Sequence, residues 1–306
     1  MRVGVIDTGT NSTRLLIADA EAGRVNEVER ITAVTRLGEG VDSASSLRDD
    51  ARERVRDCVE RYASSIRRLG ATRVLIIATS SVREARDGSE FISSLASGFG
   101  FESRILTGEE EARLSFTGAT LGIDPGLRVA LFDVGGGSTE VVTGRDGDIE
   151  FARSLAIGCV RLTERFLKSD PADQAELSAA ATFTEETLER EIDLGSLIRP
   201  ELTIAVAGTA TALAAMDLGL ERYDRDKVHG HVITYNRIAE LLRRLAAMTV
   251  AQRLDIPAME KGRADVIVAG SLIMERLMRY MGADEVYISE LDILDGTALF
   301  MERGLI

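Results

Sequence analysis

Residues 132–142 read FDVGGGSTEVV, an acid, three glycines and two hydroxyls set between apolar runs. Residues 5–16 read VIDTGTNSTRLL, and an ungapped pairing puts Asp7 against Asp133, Gly9 against Gly135, Ser12 against Ser138 and Thr13 against Thr139. A short turn of small residues exposes several backbone N–H groups on one side, and a concave set of such groups binds phosphate oxygens. Glycine admits positive φ and lets a phosphate approach with no Cβ in the way. Ser138 and Thr139 add hydroxyl donors. A plain tight hairpin accounts for either stretch alone; two equivalent copies favour phosphate. Asp133 and Glu140 lie symmetrically about their turn, so antiparallel pairing brings them together. Two carboxylates beside a phosphate loop suit a hard divalent cation, Mg2+ (or Mn2+), held partly through water. The symmetric pair of the first hairpin is Asp7 and Arg14, which predicts a cross-strand ion pair, with Asp7 also able to orient water or metal.

Such residues need strands that end together. VGVIDTGTNSTRLLIADA predicts strand, turn, strand, with a third strand near EVERITAVTRLG. LRDDARERVRDCVERYASSIRRLG places Val55, Cys58, Val59, Tyr62, Ile66 and Leu69 at helical spacing and stops at Gly70. RVLIIATS predicts a buried strand, SSVREA opens a helix, and a short helix follows over about 89–98. FESRILTG predicts a strand, and a helix runs from Glu109 to about Ala119. TGATLGIDPGL, with three glycines and a proline, marks a boundary. Beyond it the order restarts. RVALFDVGGGSTEVVTGRDGDIEFARSLAIGCVRLTERF predicts strand, turn, strand, strand, and a helical stretch covers about 171–192. ELTIAVAGTATALAAM predicts strand, loop, helix; helices follow at about 236–249 and in GRADVIVAGSLIMERLMRYMG. DEVYIS is a last strand before a C-terminal helix. A repeat at this scale implies two similar α/β domains, residues 1–120 and 121–306, each with one phosphate loop. The expected architecture has an interdomain cleft that opens and closes around a ligand, and a C-terminal helix able to pack back on the first domain.

The 306 residues suffice for two cores, and 45% apolar with 28% charged residues is a globular composition. The net charge of −13 disfavours nucleic acid or an anionic membrane as partner. No run approaches the roughly 20 apolar residues of a membrane span. MRVGVIDTG enters a strand at once, with no room for a signal peptide. Cys58 and Cys159 are the only cysteines, against a disulfide framework or structural zinc. The expectation is a cytoplasmic protein, and a homodimer on account of the apolar helices of the second half.

The two loop hairpins resemble the phosphate loops of the actin, Hsp70 and sugar-kinase superfamily. Within it the chain resembles the exopolyphosphatase and guanosine pentaphosphate phosphohydrolase (Ppx/GppA) family. The matching stretches are IDTGTNSTRLLIAD (6–19), ATSSVREA (78–85), LTGEEEARLSFTGA (106–119), LFDVGGGSTEVV (131–142), IGCVRLTERF (157–166), VAGTATALAA (206–215), HGHVIT (229–234) and GRADVIVAGSLI (262–273), in family order across nearly the whole chain. The resemblance implies two repeated actin-like (ribonuclease H-like) α/β domains. It makes Glu111, the acid just before the Ala of GEEEAR, the catalytic glutamate, and Arg83 a phosphate ligand. Thr10, Asn11 and Ser12 match the first phosphate loop, and Gly135, Gly136, Gly137, Ser138 and Thr139 the second. Gly208 and Thr209 sit where ATP-using members place a nucleotide-contacting loop; here they touch a distal phosphate or pack. In SELDILDGTAL, Leu294 and Asp295 stand where the family more often carries an arginine and a glutamate.

Hydrolysis of a phosphoanhydride places water in line with the terminal phosphorus and stabilises charge on its oxygens. Helix capping is the other use of the three acids of GEEEAR; Glu109 and Glu110 also stand to raise the pKa of Glu111 by like charge. A surface salt bridge to Glu84 or Asp87 is the alternative for Arg83. Arg36 and Arg161 occupy corresponding places in the repeats and could extend a basic track. His229 and His231 favour a structural or interface role. The leading expectation is a Mg2+-dependent exopolyphosphatase acting on inorganic polyphosphate, with short chains favoured for want of the longer members' extra C-terminal domains. Guanosine pentaphosphate (pppGpp) 5′-phosphohydrolase, a superfamily kinase and a non-catalytic polyphosphate or alarmone sensor are the alternatives.

Overall fold

The computed structural model describes residues 1–306, which divide into two compact units, 1–118 with 292–306, and 119–291. The first unit opens with β1 (Arg2–Thr8), β2 (Ser12–Glu21) and β3 (Arg24–Val34), then α1 (Val41–Ala44), α2 (Asp49–Leu69), β4 (Arg73–Ala78), α3 (Ser80–Glu84), α4 (Gly88–Phe99), β5 (Glu102–Ile105) and α5 (Gly108–Ala119). The second runs β6 (Val129–Val134), β7 (Thr139–Arg145), β8 (Asp148–Leu155), α6 (Cys159–Phe166), α7 (Gln174–Glu191), β9 (Leu202–Val206), α8 (Ala207–Asp217), α9 (Arg225–Val228), β10 (Val232–Thr234), α10 (Tyr235–Ala246), α11 (Val250–Leu254), α12 (Ile267–Met281) and β11 (Glu285–Ile288). The last helix, α13 (Ile293–Glu302), belongs to the first unit.

The sheet of the first unit is ordered β3-β2-β1-β4-β5 and that of the second β10-β11-β9-β6-β7-β8. Read from β8, the second order repeats the first, with β11 in the place of β5 and β10 added at the edge. In each, an antiparallel three-strand meander is joined through its first strand to a parallel partner, β1 to β4 and β6 to β9. The repeat in the sequence is a repeat of topology.

Strand alternation sets the faces. Val3 and Val5 of β1 pack with Leu16, Ile77 and Leu114 and with Ile293, Leu294, Ala298 and Met301 at the α13 side. Ile6 points to the opposite face, into Val55, Val59, Tyr62, Ile92 and Leu95 of α2 and α4. Asp7 therefore falls on the α13 face. There α5 and α13 meet closely: a Cβ on Gly118 would lie 1.8 Å from the Asp292 carbonyl oxygen, and one on Gly296 1.9 Å from that of Leu114. No helix is long and apolar enough to cross a membrane.

Two stretches depart from the expectation. IGCVRLTERF continues no strand; residues 159–166 are α6, only 8 residues long and too short to display a helical period in the sequence. No loop separates β9 from α8: Ala207, at φ 67°, turns the strand directly into the helix, so Gly208 and Thr209 lie in its first turn. The 3-residue β10 in HVIT and the short helices α1, α9 and α11 also left no periodic signal.

Candidate active site

The two hairpin turns share their geometry. Gly9 N–H donates to Ser12 O and Gly135 N–H to Ser138 O, each at 3.0 Å. Neither glycine takes a positive φ, which corrects that part of the expectation: the turns close with ordinary φ, and close approach is what remains for the missing Cβ to serve. The turn carbonyls are tied down by the segment after the third strand. Asn11 O accepts from Thr35 and Arg36 N–H at 3.1 and 2.9 Å, and Thr10 O from Gly38 N–H at 2.9 Å. Gly135 O accepts from Cys159 N–H at 2.9 Å, Gly136 O from Val160 and Arg161 N–H at 2.9 and 3.2 Å, and Gly137 O from Arg161 Nε at 2.8 Å. In a trans peptide the C=O and the next N–H point in opposite directions. The amides of Asn11 and Ser12, and those of Gly136, Gly137 and Ser138, are thereby turned away from the segments that hold the carbonyls. Thr13 Oγ1 shares a hydrogen bond with Thr35 Oγ1 at 2.8 Å, and Thr139 Oγ1 donates to Ile157 O at 2.7 Å, so both threonines brace the turns. Thr10 Oγ1 and Ser80 Oγ are 3.1 Å apart, which ties the first turn to α3.

The acids stand as the turn symmetry requires. Asp133 is the direct cross-strand partner of Glu140, and Asp7 of Arg14. Asp133 and Glu140 are both buried, and Glu140 Oε1 accepts from Ser154 Oγ at 2.7 Å. Arg14 gives Nε and Nη2 to Asp7 Oδ2 at 3.0 and 2.7 Å. Asp7 Oδ1 is buried with no hydrogen-bond partner, and burial pushes this carboxyl above its ordinary value against the pull of Arg14. No group of three or more His, Cys, Asp or Glu side chains forms an all-protein metal cage. Mg2+ is commonly held by one or two carboxylates, the remainder being water and substrate phosphate. The cross-strand acid pair of the second unit and the orphaned Asp7 oxygen of the first fit that donor pattern and not a structural metal.

Arg83 and Glu111 meet. Arg83 Nη1 donates to Glu111 Oε2 at 3.0 Å and to Leu106 O at 2.7 Å. The Glu111 side chain is 9% exposed and that of Arg83 27%. No hydrogen bond involves Nε or Nη2 of Arg83, so two donor nitrogens of a fixed guanidinium remain for a ligand. Asp87 is not its partner; that acid pairs with Arg52 and accepts from Leu47 N–H. Glu110 supplies the helix cap: its Oε2 accepts Thr107 N–H at 2.8 Å while Glu110 N–H donates to Thr107 Oγ1 at 3.2 Å. Burial opposes its ionisation, but the Thr107 amide and Arg104 outweigh it and hold the carboxyl below its ordinary value. Glu109 is exposed. The three acids of GEEEAR thus divide into a surface group, a cap and a buried partner of Arg83.

In the second unit, Arg263 lies over the start of α8. A Cβ on Gly208 would stand 1.3 Å from Arg263 Nη1. A cation at a helix N-terminus opposes the dipole, an arrangement that an anionic ligand reverses. Arg263 is also paired with Glu260. Thr209 is buried against α12, where a Cβ on Gly270 would meet its Oγ1 at 2.4 Å. Arg36 sits in a coil at φ 51°, whereas Arg161 is buried in the first turn of α6. His231 Nε2 bonds Asp217 Oδ2 at 2.7 Å, and His229 Nδ1 accepts Glu290 N–H at 3.1 Å. Leu294 is in the core, and Asp295 accepts from Arg30 Nη2 at 2.7 Å.

A family model described as the Ppx/GppA phosphatase family matches residues 16–302. The chain belongs to that family. Membership makes it a phosphoanhydride hydrolase built of two actin-like domains. It is 39% identical to exopolyphosphatase 2 of Mycobacterium tuberculosis over 97% of this chain and 98% of that protein. Among solved structures, an exopolyphosphatase-like protein superposes with a TM-score of 0.93 at 32% identity over all of both chains. The Ppx/GppA family member of Aquifex aeolicus superposes with a TM-score of 0.83 at 29% identity, over 99% of this chain and 98% of that one.

For a Ppx/GppA protein, two features escaped the sequence reading. Arg263 stood in a quoted motif, but only the missing Cβ of Gly208 reveals where its guanidinium rests. Asp292 engages Arg14 from the far end of the chain, a contact with no local signal.

Proposed function

We propose that this chain is an exopolyphosphatase that hydrolyses the terminal phosphoanhydride of inorganic polyphosphate and releases orthophosphate. The buried Glu111 held at 3.0 Å by a guanidinium with two unengaged donors carries this reading. Glu111 orients the attacking water and takes its proton. The water oxygen bonds to the terminal phosphorus, the bond from phosphorus to the bridging oxygen breaks, and the shortened chain leaves with that oxygen. Arg83 binds the equatorial oxygens as charge redistributes. The outward amides of Gly136, Gly137 and Ser138, and those of Asn11 and Ser12, bind phosphate oxygens, with Arg263 and the α8 N-terminus at Gly208 as a further anion site. Asp133 and Glu140, and Asp7 through Oδ1, would hold Mg2+ or Mn2+, and a cation there would neutralise charge on the phosphoryl oxygens. The 39% identity to a protein named exopolyphosphatase supports the choice of substrate.

The test is phosphate release from polyphosphate with Mg2+, for wild type and Glu111→Gln, with guanosine pentaphosphate as the competing substrate. The expected result is release from polyphosphate, about 10²–10⁴-fold lower in the variant and abolished by chelator. Full turnover in Glu111→Gln removes the assigned base, and preference for guanosine pentaphosphate moves the substrate to that nucleotide.

A further inference from the structure

Asp7 is held from behind. Its partner Arg14 gives Nε and Nη2 to Asp7 Oδ2 and Nη1 to Asp292 Oδ2. Asp292 is the N-cap of α13: its Oδ1 accepts Leu294 N–H at 3.0 Å, and its own N–H donates to Asp295 Oδ2 at 2.9 Å. Arg30 on β3 closes the cluster on both oxygens of Asp295, at 2.7 and 2.9 Å. Asp7, Asp292 and Asp295 are 4%, 6% and 2% exposed. Burial opposes ionisation of Asp292, but Arg14 and Arg30 outweigh it and keep the carboxylate charged.

A polyanionic substrate gives this arrangement a purpose. Guanidinium is the side chain best suited to bind phosphate. Arg14 keeps 20% of its side chain exposed. With Asp7 as its only carboxylate, it would turn toward an arriving phosphate and release Asp7. The second carboxylate prevents this, because each of the three Arg14 nitrogens then donates to a carboxylate and the guanidinium is held in place from two sides. Asp7 Oδ1 remains a buried acceptor with no hydrogen-bond partner.

We propose that Asp292 is a positioning residue for the hydrolysis: by holding Arg14 through Nη1 it fixes Asp7 and keeps the arginine off the substrate. The inference rests on the functional reading above. Asp292→Asn isolates it, since asparagine caps a helix as well as aspartate does and retains an oxygen for the Leu294 amide, while the charge opposite Arg14 is gone. Two readouts are needed: steady-state phosphate release from polyphosphate, and Mn2+ binding without substrate by electron paramagnetic resonance. The expected result is a kcat lower by on the order of tenfold or more, a KM for polyphosphate that falls as Arg14 turns to the phosphates, and Mn2+ affinity weakened on the order of tenfold. Values of kcat, KM and Mn2+ affinity all within about twofold of wild type overturn the inference. So does a kcat loss that tracks loss of folded protein at unchanged KM and Mn2+ affinity. If Asp292→Asn does not fold, Arg14→Lys carries the test through kcat and Mn2+ affinity alone, because lysine is a point charge that cannot bridge both carboxylates: both fall as for Asp292→Asn, and values within about twofold of wild type overturn the inference. A wild type that releases no phosphate sinks the functional reading, while the Mn2+ comparison still decides this one.

Discussion

Gly158→Ala moves the second phosphate loop and little else. Gly158 caps α6 at φ −152° and ψ 161°, extended backbone that alanine adopts without strain. The obstacle is space. An added Cβ would lie 2.3 Å from Gly136 O, 2.4 Å from Gly136 C and 2.6 Å from Gly137 C. Ordinary contact begins near 3.4 Å, and the neighbours are backbone, so the turn must retreat from α6 by about 1 Å. A displacement of that size at a site that positions a reacting group costs about 10²-fold in rate, or roughly 2.7 kcal/mol. Overpacking of this kind costs about 1–3 kcal/mol in stability, which leaves a domain of this size folded. The assay is orthophosphate release from polyphosphate on protein shown to be folded by its thermal midpoint. Gly98→Ala is the control: nothing lies within 4 Å of its Cβ position in α4, and alanine there stabilises by about 0.5–1 kcal/mol with turnover unchanged. If Gly158→Ala turns over at the wild-type rate, the amides of Gly136 to Ser138 do not hold the phosphate and the argument from their orientation fails.

Gly208→Ala separates helix stability from ligand binding. Alanine favours α8 by about 1 kcal/mol, but its Cβ displaces the Arg263 guanidinium, so the melting temperature holds or rises while KM for polyphosphate increases; an unchanged KM removes Arg263 from the site. Burial pushes the Cys159 thiol up to about 11 and raises that of Cys58. Neither therefore reacts with a chromogenic disulfide reagent at pH 8 until the protein is unfolded, and rapid native labelling contradicts that. The lowered carboxyl of Glu110 contributes stability that is present above its unfolded pKa and lost as pH falls through the folded value. Glu110→Gln should then cost about 0.5–1 kcal/mol at pH 7, a gap that closes in acid; a pH-independent difference in denaturant midpoint refutes the assignment.

What could be read ahead of the structure was whatever the chain encodes locally. The pairing of Asp133 with Glu140 and of Asp7 with Arg14 follows from symmetry about a turn, and α2 from its apolar spacing and Gly70 stop. Capping was expected of the acids of GEEEAR, and the structure gives that part to Glu110, three residues after Thr107. What escaped was set by tertiary contact. The backbone of Ala207 turns at once into α8, and Arg263 rests against Gly208 in its first turn. Leu294 and Asp295 stood out only as departures from the family's arginine and glutamate; in the structure one fills the core and the other partners Arg30. Nothing near Asp292 in the chain hints at Arg14, which lies 278 residues away.

Because α13 completes the first unit, that unit is finished only by residues made after the whole of the second. Ile293, Leu294, Ala298 and Met301 line the face of β1 that carries Val3 and Val5. Until they arrive that face lacks its cover, and Arg14 lacks its second carboxylate. Synthesis proceeds at about 5–20 residues per second, so residues 119–291 impose a wait on the order of 10 s or more. The nascent N-terminal sheet spends that interval with one face short of its cover, and the Asp7–Arg14 pair waits for Asp292 until α13 is made.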